Sequence, residues 1–276
     1  ILIATHCEDT PMIAQNEEKY RGQYGDEVPF DLHPLIRSRE ACIQSSTLAV
    51  SLAKKFNTKL NVLHITTQDE LKLFAENKDI PLADKRITAE VCAHHLFFSR
   101  KDYQNRGALI KCNPAIKEEE DRVALLQAVN ENVLDVIATD HAPHTWAEKH
   151  QSYFKAPSGL PLVQHALLSL LEHYHQGVFS LEKIVQKTAH APATIYQVEK
   201  RGFIREDYWA DLVLVDLNSQ NHISDVAAKS KCGWTPFSGL TFSSTINETF
   251  VNGILKYDHG RIVADNLGAS LDFTAF

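Results

Sequence analysis

The chain has 276 residues, 44% of them hydrophobic and 23% charged, which suffices for one large core or for one core with a small appendage. Its formal net charge of −7, without a long run of Lys or Arg, argues against nucleic acid and anionic membranes as partners. No apolar stretch reaches about 18 residues, so no membrane helix is predicted. The five cysteines form no CxxC pair, which favours a reducing cytoplasm over a disulfide framework.

The first half of the chain alternates short apolar runs with longer helical patterns. The runs typical of strands are Ile1–Thr5, Leu60–Ile65, Ile87–Cys92 and Val133–Ala138. The patterns typical of helices are Glu40–Phe56, Gln68–Glu76, Glu118–Asn130, Leu162–His173 and Leu181–Thr188. Near-continuous apolar strands that alternate with helices predict a parallel α/β sheet covered by helices. A closed (β/α)8 barrel needs eight strands, so four predict half of one.

The composition changes near Arg201, where helical patterns stop. Asp211–Asp216 alternates like a strand, and Thr249–Tyr257 resembles two short strands about Asn252-Gly253, which is a strong hairpin signal. We therefore predict a partial barrel domain over residues 1–200 and a small β-rich unit over 201–276. The chain also starts within an apolar run, without Met, which predicts a piece of a longer protein.

Three of the predicted strands end in a side chain that can bind a metal ion. His6 and His64 follow the first two strands, and Asp140 follows the fourth. Because the C-terminal ends of barrel strands open onto one face, we expect these side chains to be neighbours. Imidazole and carboxylate groups suit Zn²⁺ and similar divalent ions. A histidine at a strand end is often only structural, and the pattern alone leaves both roles open.

Five short motifs occur in a characteristic order. They are Thr5-His-Cys-Glu-Asp9, Leu63-His-Ile-Thr-Thr67, Thr88-Ala-Glu-Val-Cys-Ala-His-His-Leu96, Lys111-Cys-Asn-Pro-Ala-Ile116 and Ala138-Thr-Asp-His-Ala-Pro-His144. This ordered set resembles dihydroorotases of the amidohydrolase superfamily, in the branch that shares features with allantoinases and hydantoinases. The resemblance covers essentially the whole chain and implies the C-terminal half of a TIM-type metal-dependent hydrolase barrel, about strands 5–8, followed by the C-terminal part of a β-sandwich.

The resemblance also implies roles for particular residues. His6 and His64 match the histidines that hold the more buried metal, and Asp140 matches the aspartate that binds the other metal and transfers protons. Asn113 and His144 match residues that contact the substrate. The residues that match the backbone lining of the substrate site are Ser158 and Gly159, with Ser158 departing from the larger residue usual in the family.

Two parts of the family's metal site have no counterpart in this sequence. The HxH motif followed by Phe-Arg is absent, and so is the bridging carboxylated lysine or aspartate. His173 and His175 have HxH spacing but lie in a helical pattern, where positions i and i+2 point apart, so we interpret them as surface residues. His94 and His95 are interpreted as structural. We therefore expect residues 1–276 alone to lack activity.

The implied function is metal-dependent, reversible hydrolysis of the cyclic amide of dihydroorotate to N-carbamoyl-aspartate, a step of pyrimidine biosynthesis. The implied cofactor is Zn²⁺, as a binuclear site in the complete protein, with one or both ions missing from this segment. The partner is a small-molecule substrate, and the sequence leaves a homodimer open. Two alternatives remain: an allantoinase- or hydantoinase-type cyclic amidohydrolase, and a non-catalytic scaffold subunit that resembles dihydroorotases.

Overall fold

The computed structural model describes residues 1–263 and 268–274. Its strands are β1 (Leu2–Thr5), β2 (Lys59–Val62), β3 (Ile87–Cys92), β4 (Val136–Ala138), β5 (Leu212–Asp216), β6 (Asn221–His222), β7 (Thr241–Phe242), β8 (Thr245–Val251), β9 (Ile254–Asp258) and β10 (Arg261–Ile262). Its α-helices are α1 (Thr10–Tyr24), α2 (His33–Ile36), α3 (Arg39–Phe56), α4 (Ala93–Phe97), α5 (Tyr103–Arg106), α6 (Glu119–Asn130), α7 (Trp146–Lys149), α8 (Ala166–His175), α9 (Leu181–Val185) and α10 (Ala191–Ile195).

The four predicted strands of the first half form one parallel sheet in the order β1-β2-β3-β4. Thr5 is in register with Val62, and Cys92 is in register with Ala138, so the carboxyl ends of the strands lie at one edge. All six residues of β3 are buried. The predicted parallel α/β arrangement is therefore observed.

Most predicted helices of this part are found, with two differences. Helix α1 was not predicted; Asp9 caps its first turn by accepting a hydrogen bond from the Met12 amide at 2.9 Å. The predicted helix over Gln68–Glu76 is wrong, because the segment forms two 3₁₀ turns, Glu70–Leu73 and Ala75–Asn77. The buried Glu70 carboxylate accepts hydrogen bonds from the backbone and hydroxyl of Thr67, which ties the segment into a local turn.

Helix α3 has the predicted length, but its long apolar side chains do not face the core. The Ser38 hydroxyl caps its first turn, and Asn57 ends it in a left-handed conformation. Its buried face consists of small or β-branched residues such as Ala41 and Val50. Its longer apolar residues are exposed: Leu48, Leu52 and Phe56.

The C-terminal part contains an antiparallel sheet in the order β10-β9-β8-β5 and a separate pair, β6-β7. The hairpin predicted at Asn252-Gly253 joins β8 to β9, and both residues have positive φ angles, 54° and 76°. These angles suit the type I′ turns that connect tight hairpins. The predicted β-rich character of this part is therefore observed.

Contacts within the chain define two compact units. One comprises residues 1–166 and 224–238, and the other comprises residues 167–223 and 239–276. These limits differ from the domain boundary near Arg201 that the composition indicates. The boundary near Arg201 stays a prediction. Within the described residues, no helix combines the length and apolar character that crossing a membrane requires.

Candidate metal and substrate site

His6 and His64 lie side by side at the carboxyl edge of the parallel sheet. The backbone amide of Leu63 donates to the carbonyl of Thr5 at 3.1 Å, which aligns the ends of the first two strands. The Nδ1 atom of His6 lies 3.0 Å from the Nε2 atom of His64. Two imidazoles on one tetrahedral zinc ion, with bonds of about 2.0–2.1 Å, place their nitrogens about 3.3 Å apart. The pair therefore fits shared coordination of one ion.

The other ring nitrogen of His6 is held by a buried carboxylate. His6 Nε2 lies 3.0 Å from Glu8 Oε2, and the same oxygen accepts from Arg37. Burial alone would raise the pKa of Glu8, but the His6 hydrogen bond and the charge of Arg37 outweigh burial and leave that pKa below its ordinary value. An ionised Glu8 fixes the proton on His6 Nε2 and turns the Nδ1 lone pair towards His64.

Replacing Glu8 with glutamine should weaken metal binding, because a neutral amide holds the His6 tautomer less firmly than a carboxylate. Losses of this kind at groups that orient metal ligands are about 10–100-fold in affinity. Competition with a chromophoric chelator measures the change for Zn²⁺ in the full-length protein. Glu76, which is exposed and pairs with Lys54, provides the matched control Glu76→Gln. Equal affinities for the two variants would contradict the role given to Glu8.

His64 and Asp140 share an unusual backbone conformation. Their φ angles are 40° and 48°, in the left-handed region that histidine and aspartate enter more readily than most residues. Asp140 follows β4 and is exposed at the sheet edge. Its carboxyl group is nevertheless partly desolvated by the surrounding protein, which raises its pKa, and the charge of His6 partly offsets that rise. Burial has the opposite effect on a histidine: it lowers the pKa of His64 to about 4, which keeps its imidazole neutral and able to bind a cation.

The predicted substrate residues lie in three short segments, around Asn113, His144 and Gly159, whose backbones are joined by hydrogen bonds. The backbone amide of Gly159 donates to Lys111 at 2.9 Å, two residues before Asn113, and the Ala142 amide donates to Leu160 at 3.0 Å. Gly159 has a φ of 138°, and a Cβ atom there would lie 2.4 Å from the Ala142 carbonyl oxygen and 3.1 Å from His144 Cδ2. The structure thus brings Gly159 beside His144 and joins both segments to the Asn113 segment.

Asn113 and Ser158 are half-buried in these segments. The side-chain oxygen of Asn113 is buried and has no hydrogen-bond partner among the described residues. An unsatisfied buried acceptor is costly, so this oxygen is suited to a donor on a bound molecule. The substrate roles of the four predicted residues stay predictions.

The histidines set aside as structural are both buried. Cys92, His94 and His95 have ligand atoms within 4.8 Å of one another, but His95 Nε2 donates to the Pro114 carbonyl at 3.1 Å and all three residues are inaccessible. We assign no function to this cluster. The surface interpretation of His173 is wrong: only 3% of it is exposed, and it packs against Phe179.

Sequence reasoning missed four other polar residues of this part of the chain, which are Glu8, His33, Arg37 and Lys149. His33 donates from Nε2 to the Cys112 carbonyl at 2.8 Å and accepts from the Tyr153 hydroxyl at 2.7 Å. Arg37 holds Glu8, and Lys149 is fully buried. A signal existed only for Glu8, as the acidic residue next to a candidate ligand in the first motif. Nothing in the local sequence distinguishes the other three from surface residues.

Comparison with known proteins identifies the family of the chain. A model of the amidohydrolase family matches residues 2–255. The chain is 32% identical to a dihydroorotase of Halobacterium salinarum over 239 residues, which cover 87% of this chain and 53% of that protein. It is also 32% identical to a dihydroorotase of Staphylococcus epidermidis over 257 residues, covering 93% and 58% of the two proteins. The chain thus spans little more than half the length of these curated relatives.

Solved structures show the same fold. The L-hydantoinase of Arthrobacter aurescens matches with a TM-score of 0.88 at 20% identity, over 96% of this chain and 58% of that chain. The dihydropyrimidinase of Brevibacillus agri matches with a TM-score of 0.86 at 20% identity, over 95% and 58%. These likenesses confirm the predicted TIM-barrel-type fold, and the sequence relatives confirm the resemblance found in the motifs. The chain belongs to the amidohydrolase family.

Proposed function

We propose that this chain is part of a dihydroorotase, which interconverts dihydroorotate and N-carbamoyl-aspartate by opening and closing a cyclic amide. The observation that carries the proposal is the 3.0 Å approach of His6 Nδ1 to His64 Nε2 at the edge where Asp140 also lies. Membership of the amidohydrolase family supports the reaction class, and the dihydroorotases among the relatives favour this substrate.

The residues of the chain divide the work between metal binding, proton transfer and substrate binding. His6, His64 and Asp140 would hold divalent ions such as Zn²⁺. When bound, such ions lower the pKa of water and polarise the amide carbonyl. Asp140 accepts the proton of the attacking water and returns it to the leaving ring nitrogen.

The second group of residues orients the ring. The Asn113 oxygen accepts from a ring N–H, and backbone groups around Ser158 and Gly159 line the substrate. His144 would contact the substrate carboxylate; its Nδ1 lies 3.9 Å from Glu148 Oε2. Holding the ring in one orientation turns the attack of water into a step within a preformed complex.

A hydantoinase- or allantoinase-type activity is the second candidate, favoured by the structural likeness to hydantoinases. Assays of the full-length protein with dihydroorotate, hydantoin and allantoin, before and after treatment with a chelator, separate the candidates. We expect turnover of dihydroorotate that the chelator removes and Zn²⁺ restores. Turnover of hydantoin alone would establish the second candidate, and a lack of turnover with all three would favour a scaffold subunit.

Residues 1–276 expressed alone should bind and hydrolyse dihydroorotate poorly or not at all. Two histidines and one aspartate are too few ligands for two divalent ions, and the open sheet edges expose unpaired backbone groups. The measurement is dihydroorotase activity of this segment with Zn²⁺ supplied, beside that of the full-length protein. Comparable rates would show that residues 1–276 contain every group the reaction needs.

A further inference from the structure

Lys149 is buried completely, which is rare for a lysine. It ends helix α7, whose start is fixed by a capping box between Thr145 and Glu148. None of its surface is exposed, although lysine side chains are almost always solvated unless they are paired. No carboxylate in residues 1–263 or 268–274 lies within 4.0 Å of its ammonium nitrogen. Something other than an ion pair must therefore compensate for its burial.

The compensation comes from three backbone carbonyls. Lys149 Nζ donates to the carbonyl of Lys111 at 3.2 Å, to that of Pro157 at 2.8 Å and to that of Gly159 at 3.0 Å. An ammonium has three N–H groups, so the three carbonyls use all of them. The ring of Trp234 adds a cation–π contact, with the nitrogen 5.9 Å from the ring centroid.

The three carbonyls belong to the two segments that contain the proposed substrate residues. Lys111 lies two residues before Asn113, and its carbonyl also accepts the Gly159 amide at 2.9 Å. Gly159 in turn packs directly on the Ala142 backbone. Among the described contacts, no other side chain donates hydrogen bonds to both the Lys111 carbonyl and the Gly159 carbonyl. The Lys149 side chain and the Gly159–Lys111 backbone hydrogen bond therefore tie these two segments together.

We propose that Lys149 is a positioning residue for substrate binding, which holds the Asn113 segment and the Gly159 loop at the separation that the cyclic amide requires. This inference rests on the proposed function, since it takes these segments as the substrate side of the site. Lys149 itself does not contact the substrate.

The charged and titratable neighbours of Lys149 agree with this role. Lys111 points its own ammonium at the carbonyls of Tyr153 and Ala156, at 2.7 and 2.6 Å. Burial lowers the pKa of Lys149 to about 7; Cys112 acts against this shift and Lys111 adds to it. Carbonyl dipoles rather than a counter-charge thus hold the Lys149 side chain in place.

The test compares Lys149→Met, which removes the donors but keeps the length, with Lys155→Met, at an exposed lysine in the same loop region. In the full-length protein we expect Lys149→Met to raise the KM for dihydroorotate about tenfold or more and to leave the Zn²⁺ content unchanged. In an Asp140→Asn background, the Kd for dihydroorotate should rise by a similar factor. Unchanged KM and Kd, or loss of Zn²⁺ in parallel with substrate binding, would overturn the proposal.

A second measurement does not depend on the reaction. Lys149→Met should speed hydrogen exchange at the amides of Gly159 and Ala142 and leave it unchanged in α3. Faster exchange at these amides would support the positioning role even if the wild-type protein failed to turn over dihydroorotate. In that case only the proposed function would be wrong. If Lys149→Met does not fold, Lys149→Gln enters the same assays, because it keeps only two N–H donors and leaves at least one of the three carbonyls without its partner. An unchanged KM in folded Lys149→Gln, or unfolding of both variants, would refute a positioning role.

Discussion

Replacing Asp140 with asparagine should lower kcat by roughly two to four orders of magnitude, the usual contribution of a positioned acid or base. Asparagine keeps the shape of the side chain and tolerates the left-handed backbone at this position, but it cannot accept the proton of the attacking water. The measurement is steady-state hydrolysis of dihydroorotate by the full-length variant, with Zn²⁺ content determined on the same sample.

The matched control for this variant is Asp79→Asn, at an exposed position away from the sheet edge. Its kcat should stay within about twofold of wild type, as expected for a surface change without contacts to the site. If Asp140→Asn retains its Zn²⁺ and nearly its full rate, Asp140 is not the proton acceptor.

Acid should destabilise the protein through histidines that are buried in the neutral form. Burial lowers the pKa of His94 to about 3 and that of His165 to about 4, and it moves the pKa of His33 and His95 in the same direction. A group whose pKa falls on folding contributes stability that is fully present above about pH 6.5 and is lost as the pH falls through the folded value.

His165 allows this effect to be isolated. Its Nδ1 lies 3.1 Å from the Thr235 hydroxyl, and it is remote in sequence from the proposed metal ligands. A shift from 6.5 to about 4 corresponds to roughly 3 kcal/mol between pH 7 and pH 4. In urea denaturation, His165→Gln should therefore reduce the difference between the free energies of unfolding at these two pH values by that amount. Glu90 acts in the opposite direction, because burial raises its pKa to about 7, but it is present in both proteins.

The exposed His259 provides the control variant for the acid experiment, since its side chain is 65% accessible and pairs with the neighbouring Asp258. His259→Gln should leave the difference between the free energies of unfolding unchanged. If the difference in stability between pH 7 and pH 4 is the same in wild type and in His165→Gln, burial does not lower the pKa of His165 in the folded protein.

The sheet could be predicted from the sequence because its signal is local. Apolar runs such as Ile87–Cys92 are buried on both faces, and the hairpin at Asn252-Gly253 needs two positive φ angles that these residues adopt readily. Helix α1 lacks such a signal: Ile13 is its only fully buried residue, so no apolar stripe identifies it. The 3₁₀ turns that begin at Glu70 depend on a buried carboxylate that local pattern does not reveal.

The candidate site could be predicted only where residues lie at strand ends or within a recognised motif. His6, His64 and Asp140 satisfy both conditions. Lys149 and Arg37 satisfy neither condition. Lys149 depends on Lys111, 38 residues away in the chain, and Arg37 depends on Glu8, 29 residues away. Charged residues are normally solvated, so a sequence without the fold gives no reason to expect that Lys149 is buried or that Arg37 is partly buried.

The backbone contact at Gly159 has a consequence for engineering this protein. Because any Cβ at this position would overlap the Ala142 carbonyl oxygen, the gap between these loops is closed by main chain rather than by side chains. A library of variants at position 159 would therefore contain mostly damaged proteins, whatever side chains it introduced. The half-buried Ser158 and the exposed Val163 border the same loop without such overlap. Under the proposed function, these are the positions at which we expect new substrate preferences to be selectable.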